Sequence, residues 1–203
     1  MKKSVKYPVV LAVIAALCVA GIDVIYSAVA EKIEQAKKEK ELNAVSVIFK
    51  NLQSDKIEAE QAEYNGEEIA YYRCRTGYAV VTKAQGYDGA VKVMTGWDES
   101  LENIVGIYVL GHTETPGLGG NVDLVNSSNT WWNVITFSMK DESDKRPDFQ
   151  EQFRNLTLAE AKLKKDSGKI DALTGATITS NAVVRAVQKS HKVLSAVLNK
   201  GAK

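Results

Sequence analysis

Asp171-Ala172-Leu173-Thr174-Gly175-Ala176-Thr177 places a hydroxyl at the end of a loop whose backbone is almost bare, directly before a helical stretch. Gly175 has no side chain and Ala176 only a methyl group, so a bulky ligand can approach the main chain closely. Thr179, Ser180 and Asn181 read as helix-start residues. Beyond them Val183, Val184, Val187, Leu194, Val197 and Leu198 recur at helical spacing. The N-terminus of such a helix presents unpaired N–H groups and a partial positive charge, which suits a phosphate. From the residues alone, Thr-Gly-Ala-Thr is equally an ordinary turn and helix cap.

Upstream, the periodicity is that of strands. Tyr71 to Arg75, Gly77 to Ala84, Ala90 to Gly96 and Ile104 to Leu110 are short and rich in Val, Ile and Tyr. Turn residues separate them: Gly86-Tyr87-Asp88-Gly89 and Asp98-Glu99-Ser100. Those connections are too short for helical crossovers, so neighbouring strands are expected to be antiparallel. A helix is expected over 156–164, opened by a capping box of Thr157 and Glu160, and Lys169 to Leu173 reads as a last strand feeding the Thr-Gly-Ala-Thr turn. The sum is an α+β domain, with helices against one mainly antiparallel sheet.

A second loop, Glu114-Thr115-Pro116-Gly117-Leu118-Gly119, follows the strand that ends at Leu110. Pro116 fixes one dihedral and removes a donor, while Gly117 and Gly119 let backbone approach a flat ring. Read by itself it is a β-turn. His112 and Glu114 form an H-x-E, but no Pro-Cys-x-x-Cys follows, so no metal is expected and His112 reads as a loop histidine. Trp131 and Trp132 read as one buried and one rim tryptophan, with stacking on a ligand as the alternative. His191, within the last helix, is expected at the surface.

Composition narrows the function. The chain has 203 residues, with 26 basic and 25 acidic side chains and a formal net charge of +1, so nothing calls for nucleic acid. Cys18 lies in an apolar run and Cys74 far beyond it; the two are not expected to pair, and Cys74 reads as a buried small apolar residue. There is no C-x-x-C, haem, iron–sulfur, G-x-G-x-x-G or P-loop spacing. The chain is therefore not expected to hold NADH, haem or a cluster.

The N-terminus is basic through Lys2, Lys3 and Lys6, and an apolar run follows from Val9 to Ile22 and, past Asp23, to Ala30. At helical rise it measures about 33 Å, against a hydrocarbon core of roughly 30 Å. A membrane helix is expected over residues 1–30, with its basic end in the cytoplasm and the rest outside. Ala28-Val29-Ala30 is also an acceptable signal-peptidase site. The length of the apolar stretch and the charged helix that follows favour retention. Asp23 then sits near the outer interface, a snorkelling carboxylate, with a helix-packing or ion-path role as the alternative. Residues 31–55 read as a juxtamembrane helix of balanced charge whose Val45, Ile48, Phe49 and Leu52 join a core. Residues 56–203 read as the outer domain.

Two motifs, Asp171-x-x-Thr174-Gly175-Ala176-Thr177 and Glu114 to Gly119, resemble in order and spacing the signatures of the FMN-binding domain shared by two subunits. One is the G subunit of the Rnf electron-transport complex, the other the C subunit of sodium-translocating NADH:quinone reductase. The stretches Gly86 to Gly96 and Ile104 to Leu110 resemble the family too, so the likeness covers roughly residues 77 to 190. The resemblance implies covalent FMN, joined through its phosphate to Thr177, with a separate magnesium-dependent flavin transferase making the bond. It implies that Thr174 supports the loop by hydrogen bonding, with Gly175 and Ala176 beside it, and that Asp171 serves transferase recognition or loop geometry. It implies that Glu114, Thr115, Leu118 and Gly119 border the isoalloxazine. No residue is assigned a catalytic role. Chain length favours the Rnf G subunit, a relay whose partners are the other Rnf subunits and membrane lipid. The quinone-reductase subunit is the runner-up, and an exported, flavin-free binding domain cleaved after Ala30 is the alternative from another class.

Overall fold

The computed structural model describes residues 3–49, 57–125 and 146–201. Leu52, Trp131 and Trp132 lie outside them. The chain divides into two compact units, Met1–Lys40 and Glu41–Lys203, and the first helix, α1 (Lys3–Ile48), contributes residues to both.

In the first unit the apolar window of α1 is long enough to cross a membrane, and none of it is buried. Leu11, Leu17, Ile22 and Tyr26 are exposed on different sides of the helix, as a segment surrounded by lipid requires. In the charged stretch that follows, Lys38 and Glu34 pair at 3.1 Å, one turn apart.

The second unit is built on a five-stranded meander: β1 (Glu58–Tyr64), β2 (Glu67–Cys74), β3 (Gly77–Gln85), β4 (Ala90–Asp98) and β5 (Ile104–Gly111). Sheet order follows chain order and every pair is antiparallel. Three short elements follow among the described residues: a 3-10 turn, Gly119–Asp123, α2 (Asp148–Glu151) and a second 3-10 turn, Lys164–Asp166. The long α3 (Thr177–Gly201) closes the unit. The class is α+β, as the sequence implies.

Alternation along the strands explains the layering. Val80, Val91, Val93 and Trp97 point to one face, where Ala182, Val183, Ala186, Val187 and Leu194 of α3 cover them. Ala79, Val81 and Met94 point to the other, where Ala44, Val45, Ile48 and Phe49 cover them. Two hydrogen bonds fix α3 on its face: Thr82 Oγ1 donates to Ala186 O at 2.9 Å and Trp97 Nε1 to Ser190 Oγ at 2.9 Å. His191 is half-buried and stands edge-on to Trp97 at 5.1 Å, so it belongs to this packing and not to the open surface expected of it.

On the opposite face, Gly96 pairs across the sheet with Gly106, leaving a shallow hollow without side chains. Ile48 and Phe49 fill it; a Cβ on Gly96 would lie 3.2 Å from the Phe49 ring. Arg146 donates to the carbonyls of Val47 and of Ile48, satisfying the end of α1.

Two expectations of secondary structure need correction. Residues 156–164 do not form a helix. The capping hydrogen bonds exist, from Thr157 N and Oγ1 to Glu160 Oε2 at 3.1 and 3.2 Å, but they close a single turn. Leu163 then pairs in parallel with Ile170 as an isolated bridge, burying both apolar side chains. That bridge is also all that exists of the strand expected over Lys169 to Leu173.

The β4–β5 turn hangs on Asp98, which accepts from Ser100 Oγ, Glu102 N, Asn103 N and Asn103 Nδ2 at 2.8–3.2 Å. Burial pushes its carboxyl up, but the hydrogen bonds from Asn103, Ser100 and Glu102 outweigh burial and hold it below the usual carboxylate range. Burial alone pushes the Cys74 thiol up to about 11, in keeping with an inert core residue.

Ile48→Ala should lower the unfolding free energy of the full chain in detergent by about 2–5 kcal/mol, read by urea titration, since the hollow above Gly96 cannot collapse. Because the folded Asp98 carboxyl lies below its unfolded value of about 3.9, its contribution is complete above about pH 4 and is lost as the pH falls through the folded value. Asp98→Asn should therefore unfold less steeply than the unaltered chain in acid titrations below that point.

Candidate functional site

Three segments far apart in sequence meet at the N-terminal end of α3 and enclose a cavity of about 430 Å³. Tyr87 comes from the β3–β4 turn, Glu114, Thr115, Leu118 and Gly119 from the segment after β5, and Gly175 to Thr179 from the turn into α3. The two motifs singled out in the sequence thus share one cavity.

Their meeting point is the Glu114 carboxylate, which is 5% exposed. Its Oε1 accepts Tyr87 N at 2.9 Å and Asp88 N at 3.2 Å, and its Oε2 accepts the Thr179 hydroxyl. Each oxygen is satisfied by a different segment, as a buried carboxylate requires. Contact with the first turn of α3 also sets the carboxylate at the favourable end of the helix dipole. The tie demands close approach: a Cβ on Gly119 would meet Glu114 Oε2 and Thr179 Oγ1 at 2.6 Å each.

The loop that carries Glu114 is closed at its ends, where His112 Nε2 and Asp123 Oδ2 lie 3.2 Å apart. His112 Nδ1 is buried without a partner among the described residues. Inside the loop, Leu118 N and Gly120 N both donate to Thr115 O, at 3.2 and 3.0 Å, so Thr115 and Leu118 sit on a tight turn.

On the facing wall, Gly175 takes φ +74, a conformation that glycine adopts without strain. Ala176 N donates to Leu173 O at 3.0 Å, and Ser180 Oγ accepts Leu173 N at 2.9 Å while donating to Ala176 O. Ser180, not Thr174, is the hydroxyl that holds the loop. Thr174 is exposed, lies outside the cavity lining, and its side chain has no hydrogen-bond partner among the described residues. Asp171 pairs with Lys164 at 2.7 Å, and its N–H donates to Gln152 Oε1 at 2.7 Å, so it braces the loop from outside.

Helix α3 begins at Thr177, two residues before Thr179, the first of the three residues read as its start. Thr179 and Ser180 lie inside the helix and do not cap it; the Thr179 hydroxyl donates to Glu114, and that of Ser180 accepts from Leu173 N. Ser180 N bonds Ala176 O, so Ala176 stands at the cap position with no polar side chain to offer. The N–H groups of Thr177, Ile178 and Thr179 consequently find no acceptor among the described residues. Thr177, exposed, occupies the first helical position and lines the same cavity.

The residues present therefore fit an anion at the helix start, in a cavity whose lining also includes the exposed apolar side chains Tyr87, Leu118 and Ile178. Tyr87 and Ile178 were not singled out from the sequence. The glycines flanking the pair Tyr87-Asp88 were the available signal for the first, and helical phase from Thr177 for the second.

An uncapped helix start beside a cavity with exposed apolar lining suits a ligand that carries an anionic group. The sequence model of the FMN-binding domain matches residues 86–192, and the chain belongs to that family. A Pasteurella multocida protein, named as the G subunit of an ion-translocating oxidoreductase complex, is 32% identical over 98% of this chain and 97% of its own length. A Methanosarcina acetivorans protein of the same name is 27% identical over 96% of each chain. One from Vibrio cholerae is 30% identical over 91% of this chain and 87% of its own.

Glu114→Ala leaves two N–H groups and a hydroxyl without their acceptor and should lower stability by about 1.5–3 kcal/mol, while Glu114→Gln, which keeps one acceptor oxygen, should lose less. Urea titration of both full-length variants in detergent makes the comparison; equal losses would mean that the carboxylate is not the tie.

Proposed function

We propose that this chain is the flavoprotein G subunit of an ion-translocating oxidoreductase complex of the Rnf type, relaying electrons through one FMN held as a phosphoester on Thr177. The observation that carries the reading is Thr177 itself. It stands at the first position of an uncapped helix, in the same cavity as the Glu114 to Gly119 loop. The near full-length similarity to G subunits of other organisms supports the choice of complex.

The N–H groups of Thr177, Ile178 and Thr179 would receive the phosphate, with the helix dipole offsetting its charge. Gly175 and Ala176 would let it lie against backbone. Thr115, Leu118 and Gly119 would border the ring, and Glu114 would keep the loop and the helix start at a fixed separation. When bound, FMN supplies a redox centre that exchanges electrons singly or in pairs, and the protein positions it. Thr177 is an attachment point and takes no part in the electron steps. The covalent bond prevents loss of the cofactor on the side of the membrane where FMN is scarce.

In this reading α1 is a retained single membrane span, with Lys2, Lys3 and Lys6 on the cytoplasmic side and the FMN domain outside. The partners are the other subunits of the complex and membrane lipid. A flavin transferase that recognises the Asp171 to Thr177 stretch serves maturation.

The test is in-gel flavin fluorescence of denatured membranes, with the transferase present. A fluorescent band near 22.2 kDa is expected for the unaltered chain, none for Thr177→Ala, and a retained band for Thr177→Ser. A dark band from the unaltered chain would remove covalent FMN and return Thr-Gly-Ala-Thr to being a structural turn.

A further inference from the structure

Large apolar side chains in the Glu41–Lys203 unit are mostly buried or half-buried. Among its described residues the exposed ones are Leu42, Tyr87, Leu118, Leu124, Val125 and Ile178. Three of these six, Tyr87, Leu118 and Ile178, line the cavity at the start of α3, and Leu124 and Val125 follow directly on the turn that closes its loop. Exposed apolar surface concentrated at the mouth of one cavity marks a place that something apolar covers.

Tyr87 is the most exposed of them, at 73%. Tyr71 and Tyr72, by contrast, are each 5% exposed and direct their hydroxyls to Glu60 and Glu41. Yet Tyr87 is not on a loose tip. Its own N–H and that of Asp88 are both held by Glu114 Oε1, and Gly86 N bonds Gly89 O at 2.7 Å across the turn. An aromatic ring is thus carried on a pinned backbone at the rim of a slot, and its hydroxyl has no partner among the described residues.

Resting on the reading of Thr177 as the FMN attachment site, we infer that Tyr87 is a flavin-binding residue whose ring stacks on the isoalloxazine. Leu118 and Ile178 form the apolar edge of the same slot. Offset stacking of aromatic rings adds to the contact that area alone provides and fixes the orientation of the bound ring. A phenol in van der Waals contact quenches flavin fluorescence by reversible electron donation in the excited state, with no net oxidation of either ring. A purely structural role would not do so.

The experiment compares the unaltered full chain with Tyr87→Phe and Tyr87→Leu, each purified in detergent after coexpression with the transferase. Covalent loading is read from fluorescence in denaturing gels, and native fluorescence is then expressed per bound flavin. Loading should be unchanged, and native fluorescence should rise several-fold in both variants. Only Tyr87→Leu, which loses the ring, should also shift the flavin absorption bands. Unchanged native fluorescence in loaded variants would overturn the assignment of Tyr87 alone. A variant that fails to load would overturn it as well, assigning the residue to attachment. An unaltered chain without covalent flavin would instead bring down the Thr177 reading, and this inference with it.

Discussion

A single buried carboxylate sets the geometry on which the site depends. Glu114 can remain inside the protein only if its oxygens are met by donors, and the donors come from the β3–β4 turn and from the first turn of α3. The cavity is the space left between segments that this requirement draws together. The absence of side chains at Gly119 and Gly175 is part of the same constraint, one permitting close approach and the other a left-handed backbone. Thr179 illustrates how the parts are linked: from the third position of the helix its hydroxyl donates to Glu114, while Ala176 at the cap position offers no side-chain acceptor and the N–H groups at the helix start stay available.

The sheet beneath the site is covered on both faces by helices from opposite ends of the chain. Its strands alternate so that Val80 and Val93 meet α3 while Val81 and Met94 meet the end of α1. The last turns of α1 are therefore core, although the same helix begins as an apolar segment with no buried face. The transition is readable in composition: lipid-compatible residues all round, then balanced charge, then apolar residues at one helical face from Val45 onward.

Much of this was legible in the sequence. Strands β2 to β5 announced themselves by β-branched and aromatic residues between turn residues, and the antiparallel arrangement followed from short connections. Strand β1 did not, because its Glu58, Glu60 and Glu63 give the composition of a solvated loop; it lies at the sheet edge, where only one side pairs. Residues 156–164 misled because a capping box reports the first turn of a helix and nothing about the second. There the burial of Leu163 against Ile170 decided the path. The helix start was misplaced for a related reason: cap-forming residue types say that a hydroxyl is present, not which partner takes it. The two motifs found the cavity, while Tyr87 was hidden in what reads as an ordinary turn.

Sheet and site differ in how far along the chain their contacts reach. In a meander every strand pairs with its sequence neighbour, so the sheet is assembled from local hairpins with little loop-closure cost. The site joins residue 87 to residue 114 and both to residues 175–179, and the last of these are in place only when α3 is docked on the sheet. A ligand that needs all three segments meets no binding surface on a partly folded chain. Occupancy of the slot therefore depends on the docking of α3 on the sheet, and not on the hairpins alone.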